Sequence, residues 1–425
     1  MIVSNKELLF LFFILLLLFS ACRSTESGLF EGYDYDPEGV TETHDRKITH
    51  QHKRTVVFLS DGIWISNEFE GARVSDVYKI EPFRYRIEIT PEITPINNSP
   101  WYAFKIWGDH PADVEIELFY EAGRQRYIPK ISRDNRVTWS VASENEYVHD
   151  RSSNIGRLNL SVTEEKTYIA AQELFTSEHF DNWLFQITKN PFAESQTIGY
   201  SHENRELKKL LISETDGASE RGVIIIYGRQ HPPEIPGYKL SLFFLETLAG
   251  NSDLAKEFRH YFDIWAFPFI NPDGVDNGHW RSNAAGVDLN RDWNYFRQPE
   301  TAAIRNRLMD LLEIQDRKVF YGIDFHSTGR NIFYPIRSSN PAIKDRFTYR
   351  WAEKIRTEIP ELSLGIQSFD PESPIAKNWT YKTFNADAVT FEVWDEIPRN
   401  QLELFGVRSA EIFMEMMLNE YHSFF

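Results

Sequence analysis

Four short apolar runs, residues 223–227, 264–269, 319–325 and 388–393, constrain this chain more than any other feature. Each is nearly continuous in apolar residues, so each reads as a strand covered on both faces rather than one with a wet side. The stretches between them are long enough for helices. Buried strands alternating with helices predict an α/β unit, a mixed β-sheet with helices on both faces. A helix is predicted at 236–249, opened by Pro236-Gly237 and closed by Gly250. In such sheets the reactive side chains gather where strands end and loops begin.

The texture before residue 190 differs. Phe83, Tyr85, Ile87 and Ile89 alternate with Arg84, Arg86, Glu88 and Thr90, and Val114, Ile116, Leu118 and Tyr120 repeat the pattern. Period-two runs broken by Gly, Pro, Asn and Asp predict antiparallel sheets packed as a sandwich. No chemistry is visible in this segment. The 425 residues suit two globular units. The predicted division is a leader at 1–21, a flexible tether at 22–54, an accessory sandwich at 55–190 and the α/β unit at 191–425.

Residues 8–19 are an unbroken apolar run, shorter than the ~20 residues of a spanning helix, and read as the core of a signal peptide. Phe19-Ser20-Ala21-Cys22 follows, a lipoprotein processing pattern with Phe in place of the usual Leu. Lipidated Cys22 would then anchor the chain to a bacterial membrane, outside the cytoplasm. Cys22 is the sole cysteine, which excludes a disulfide framework and a thiolate zinc cluster. The tether carries His44, His50 and His52, read as solvated linker histidines. A net charge of −17 repels nucleic acid, so no such partner is expected, and an acidic substrate would need a local basic pocket.

Chemistry concentrates at the ends of the apolar runs. His231-Pro232-Pro233-Glu234 offers two metal-ligand types on a loop stiffened by two prolines. His326, at the end of another run, would complete two His and one carboxylate, a set that leaves a fourth position open. Glu392 places a carboxylate inside an apolar strand, where a charge needs a task or a partner. Asn271-Pro272-Asp273-Gly274, Arg281 and Gly286-Val287-Asp288-Leu289-Asn290-Arg291-Asp292-Trp293 form a polar loop system suited to recognising a carboxylate. Taken singly, His326 also reads as a satisfied strand-end histidine, Glu392 as an ion-paired structural residue, and Asn-Pro-Asp-Gly as a turn.

Together, in order and spacing, these motifs resemble the zinc carboxypeptidase family typified by carboxypeptidase A, over roughly residues 195–425. The segment Asn98-Ser99-Pro100-Trp101-Tyr102-Ala103-Phe104-Lys105 is similar to the accessory sandwich of the cytosolic carboxypeptidase branch. The resemblance implies one Zn2+ on His231, Glu234 and His326, with Asp288 orienting a ligand histidine. It implies that Arg281 polarises the scissile carbonyl, that Asn290 and Arg291 grip the terminal carboxylate of a peptide or protein C-terminus, and that Glu392 is general base and then acid. Two positions depart from the family pattern. The place of the family's substrate-capping tyrosine falls on Asp370, which leaves Tyr381 as a substitute, and Lys377 takes the floor of the pocket for the leaving residue, favouring an acidic one. Trimming of cell-wall peptides is the rival activity; a non-catalytic peptide-binding lipoprotein is the rival of another class.

Overall fold

The computed structural model describes residues 47–214, 221–314, 317–336, 346–368 and 372–424. The period-two segments become β1 (Thr55–Phe58), β2 (Ile63–Ser66), β3 (Asp76–Glu81), β4 (Arg84–Ile89), β5 (Ala103–Gly108), β6 (Ala112–Tyr120), β7 (Lys130–Ser132), β8 (Ser140–Val141), β9 (Tyr147–Asp150), β10 (Ile155–Val162) and β11 (Thr167–Ala170). They pair in two sheets, β1-β2-β5-β11-β7-β8 and β3-β4-β6-β10-β9. Pairing is antiparallel except between β4 and β6, which run parallel. Because successive strand side chains point to opposite faces, Tyr85, Ile87, Ile116 and Leu118 of one sheet meet Ile63, Ile65, Phe104 and Ile106 of the other in one core. Phe83 drops out of the alternation: it sits in a left-handed turn (φ 57°), and the strand starts at Arg84.

The apolar runs form a second, eight-stranded sheet from β12 (Ala193–Tyr200), β13 (Glu206–Ile212), β14 (Gly222–Gly228), β15 (Phe262–Phe267), β16 (Val319–Thr328), β17 (Ile332–Pro335), β18 (Gly365–Ile366) and β19 (Asp387–Trp394). Their order is β12-β13-β15-β14-β16-β19-β17-β18, with β15, β14, β16 and β19 parallel. Alternate residues of β14 serve opposite faces. Ile224 and Ile226 pack with helices Ile235–Leu248, Phe347–Glu358 and Leu402–Phe424. Val223, Ile225 and Tyr227 pack with helices Pro299–Glu313 and Ala376–Phe384. The expected two-faced sheet is therefore present, and the carboxyl ends of its parallel strands point to one rim.

Two expected boundaries move. Helix Ser177–Ile187 buries Phe180, Leu184 and Ile187 in the core of the α/β sheet, so the accessory unit closes well before residue 190. The tether, expected to run free to residue 54, is bound from Thr49 onward. Thr49 N–H donates to Glu92 O (2.7 Å), Gln51 Nε2 to Asn277 O (3.0 Å) and Lys53 Nζ to Ala72 O (3.0 Å). Its backbone and side-chain donors satisfy carbonyls on the loops beside the sheets. The leader, Cys22 and His44 lie outside the described residues. Among the described residues no helix is long and apolar enough to cross a membrane.

Candidate metal centre

β14 ends at Gly228, and Arg229 turns the chain in a left-handed conformation (φ 53°). Its buried guanidinium lies 4.9 Å from the Tyr238 ring centre, and burial pulls its pKa down to about 10. The loop then delivers His231 and Glu234, the latter as N-cap of helix Ile235–Leu248, where the helix dipole favours an anion. β16 brings His326 against the same helix. The approach requires Gly237: a Cβ there would stand 1.9 Å from His326 O. Gly237 N–H also donates to Ser327 Oγ (2.8 Å).

Three side chains from two strand ends thus converge. His231 Nδ1 lies 2.8 Å from Glu234 Oε1 and His326 Nδ1 lies 2.7 Å from Glu234 Oε2. The three candidate ligand atoms all fall within 4.8 Å of one another, and the residues are buried. The far ring nitrogens are also held: His231 Nε2 is 2.9 Å from Asp288 Oδ1, and His326 Nε2 is 2.9 Å from Asp324 Oδ2. A proton kept on Nε2 by a carboxylate leaves the Nδ1 lone pair for a metal.

The electrostatics fit a dication. Burial alone would raise Glu234 and Asp288, yet the imidazoles hold the first and Arg281 with His231 hold the second well below the usual carboxylate range. Burial opposes charge on His326, but Asp324 and Glu234 hold it well above the usual imidazole value. Carboxylates outnumber cationic groups around this buried point, and two nitrogens with one oxygen suit zinc with an open fourth position.

Glu392 faces the same point, as the register partner of His326 across β16 and β19. Its Oε2 is sealed from solvent with no hydrogen-bond partner among the described residues, and burial and then the Glu234 carboxylate push it up to about 8. Arg281 Nε donates to Asp288 Oδ2 (2.6 Å), so Asp288 bridges the arginine to His231. Arg291 Nη1 donates to Asn290 O (3.0 Å). The Asn290 carboxamide is engaged at both ends: Oδ1 accepts Ala376 N–H (3.0 Å), and Nδ2 donates to Asp324 Oδ2 (3.4 Å). Lys377, fully buried in the first turn of helix Ala376–Phe384, donates to Pro335 O (3.1 Å).

Tyr381 is not brought to the site. It stands beside Arg346 and lines a surface pocket with Val319, Tyr321 and Asp387, at the starts of β16 and β19 rather than at their ends. Helix Ala376–Phe384 runs from Ala376, whose N–H donates to Asn290 Oδ1, toward those strand starts and carries Tyr381 with it. Asp370 lies outside the described residues. The loop motif Asn-Pro-Asp-Gly is scaffolding: Asn271 caps helix Pro272–Asp276 and donates to Gln230 O (3.0 Å), while Asp273 accepts from Ser201, Glu203 and Arg205.

Sequence reasoning missed Asp324, although the signal was there: a carboxylate in an apolar run, two residues before His326 and so on the same strand face. It also missed Gln230, which donates to Asp324 Oδ1 (2.8 Å) and accepts from Trp293 Nε1 (2.8 Å). Arg126 of the sandwich pairs with buried Asp395 (2.9 Å) and donates to Ser327 O (3.3 Å), contacts no local pattern announces.

Comparison with known proteins agrees with this geometry. The family model described as zinc carboxypeptidase matches residues 181–407. Bovine cytosolic carboxypeptidase 3 is 22% identical over 311 residues, 66% of this chain and 31% of that protein, so the chain spans about a third of that relative. Cytosolic carboxypeptidase 6 of Caenorhabditis elegans is 22% identical over 317 residues, 69% of each chain. Among solved structures, a metallo-carboxypeptidase from Burkholderia cenocepacia superposes with a TM-score of 0.72 at 19% identity, over 84% of this chain and 99% of that one. A metallo-carboxypeptidase from Pseudomonas aeruginosa, in complex with (2-guanidinoethylmercapto)succinic acid, gives 0.68 at 20% identity, over 83% and 98%.

Proposed function

Because this chain belongs to the zinc carboxypeptidase family, we propose that it hydrolyses the C-terminal peptide bond of peptides and prefers an acidic leaving residue. The observation that carries the reading is the convergence of His231, Glu234 and His326 within 4.8 Å, with Glu392 in register beside His326. When bound there, zinc would supply a Lewis acid for the scissile carbonyl and lower the pKa of water.

The chain's own residues do the rest. Glu392, with one oxygen sealed and in register beside His326, takes the proton of the attacking water and hands it to the departing amine. Arg281 donates to the carbonyl oxygen as charge develops on it. Arg291 grips the terminal carboxylate, and Asn290 joins it by exchanging one of its present partners. Lys377 supports the acidic preference. Its acceptor Pro335 pairs with Val389, three residues before Glu392, so the ammonium lies about 10 Å down the strands from the base, at the depth of a pocket floor.

The location is part of the same proposal: processing before Cys22 and lipidation there would place the enzyme outside the cytoplasm, on peptide C-termini of the envelope. Incorporation of labelled palmitate, abolished by Cys22→Ser, tests it; no incorporation refutes it. The activity is tested by scoring single-residue release from peptides ending in Glu, Lys, Leu or Phe, with and without chelator. Zinc-dependent release fastest from the Glu peptide is expected, and no release from any peptide overturns the reading. Running purified muropeptides alongside separates a cell-wall role from general peptide trimming.

A further inference from the structure

The segment that carries Arg281 takes its shape from the sandwich. Trp280, the preceding residue, is fully buried in the sandwich core, where Gly123 (φ 87°) makes room for it: a Cβ at 123 would come within 3.0 Å of the indole. Gly278 (φ 66°) backs onto Gly71 O and Ala72 O so closely that a Cβ would meet them at 2.9 and 2.7 Å. Gly71 N–H donates to Asp276 O (2.7 Å).

At the centre stands Glu92, fully buried, on the loop that follows β4. Its Oε2 accepts Trp280 N–H (2.8 Å); its Oε1 accepts Arg281 N–H (3.1 Å), Ser282 N–H (2.9 Å) and the Ser282 hydroxyl (2.7 Å). Burial opposes the charge, but His279, Arg73 and the Ser282 donors hold the carboxyl down at about 2. Three successive backbone N–H groups on one carboxylate fix the backbone on both sides of Arg281. From there the line of contacts runs through the Arg281 guanidinium to Asp288 and so to His231.

We propose that Glu92 is a positioning residue for catalysis: through this one carboxylate the accessory sandwich holds Arg281 where the reacting carbonyl oxygen must be met. The inference rests on the carboxypeptidase reading above and adds a task for the sandwich. A glutamine at 92 would offer one acceptor oxygen and turn an NH2 group toward a backbone N–H, so the loop must shift. Displacing an oxyanion donor by about 1 Å lowers turnover on the order of 100-fold.

Zinc-loaded full-length protein tests it. Glu92→Gln should lower kcat about 10- to 100-fold with KM and zinc stoichiometry little changed, and Glu92→Asp, which keeps the charge, should fall between it and the wild type. In an Arg281→Ala background Glu92→Gln should remove almost nothing more. Hydrogen exchange should rise at least about tenfold at residues 280–282 and stay unchanged elsewhere in the α/β unit. A full additional loss in the Arg281→Ala background, unchanged protection at 280–282, or faster exchange spread evenly over both units would overturn the proposal. Should Glu92→Gln not fold, Glu92→Asp carries the same readouts. A wild-type protein that cleaves no peptide removes the carboxypeptidase reading, while exchange at 280–282 still decides whether Glu92 holds the loop.

Discussion

Gly237→Ala sets two physical effects against each other at the metal centre. Within a helix this exchange ordinarily stabilises, by up to about 1 kcal/mol, because alanine has less backbone freedom to lose. Here the new Cβ would sit 1.9 Å from His326 O and 2.6 Å from its carbonyl carbon. Neither atom belongs to a flexible side chain, so helix and strand must separate by more than about 1 Å before the contact becomes tolerable. Overpacking of this kind costs about 1–3 kcal/mol, and an obstructing backbone puts it at the upper end, which leaves a net loss of about 2 kcal/mol. The separation opens the gap between Glu234, at the helix start, and His326 on the strand. Ligand distances tolerate about 0.2 Å, so zinc affinity should fall at least about 10- to 100-fold. Competition against a chromophoric chelator measures the affinity, and denaturant unfolding of the metal-free protein measures stability. A variant as stable as the wild type, or more so, with undiminished zinc affinity would refute the claim that this contact sets the ligand geometry.

Three further outcomes are expected. Asp324→Asn removes the carboxylate behind His326 Nε2 and should weaken zinc binding about 10- to 100-fold while leaving the fold intact, measured by the same competition assay. Glu300, whose pKa burial pushes up to about 7, should make the protein lose stability as pH rises through 7. The wild type enjoys the full benefit only below the ordinary carboxyl range, so Glu300→Gln should overtake it above pH 7 by up to about 3 kcal/mol and match it near pH 4, as read by urea unfolding at the two pH values. Lys377→Glu should cut kcat/KM on peptides ending in Glu by about 100-fold and raise it on peptides ending in Lys; equal losses on both would show that Lys377 does not read the leaving side chain.

The metal-binding triad, the carboxylate of Glu392 beside it and the two-faced sheet were legible because each rests on a local rule. Short continuous apolar runs between turn residues read as buried strands, alternating ones as half-buried, and a carboxylate or imidazole at the end of a buried strand has few uses. Asp288 was implied only by the resemblance to the zinc carboxypeptidases, as the partner of a ligand histidine, and the structure shows that histidine to be His231. The local rules would have located Asp324, had the argument applied to Glu392 been applied to every charge in an apolar run. Tyr381 failed because it stands about 6 Å along the helix axis beyond Lys377, beside Val319 and Asp387 at the starts of the strands.

What remained hidden has one physical cause. Glu92 and Arg281 are far apart in sequence, as are Arg126 and Asp395. A buried carboxylate on a loop and a run of backbone N–H groups carry no mutual spacing, since either could be satisfied by water or by a neighbour. Only packing of Trp280 into the sandwich core sets them face to face. The amino-acid order by itself determined which residues could hold a metal and which strands would carry them. The tertiary structure decided which unit holds the Arg281 loop in place, because hydrogen bonds between distant segments exist only once both have been desolvated together.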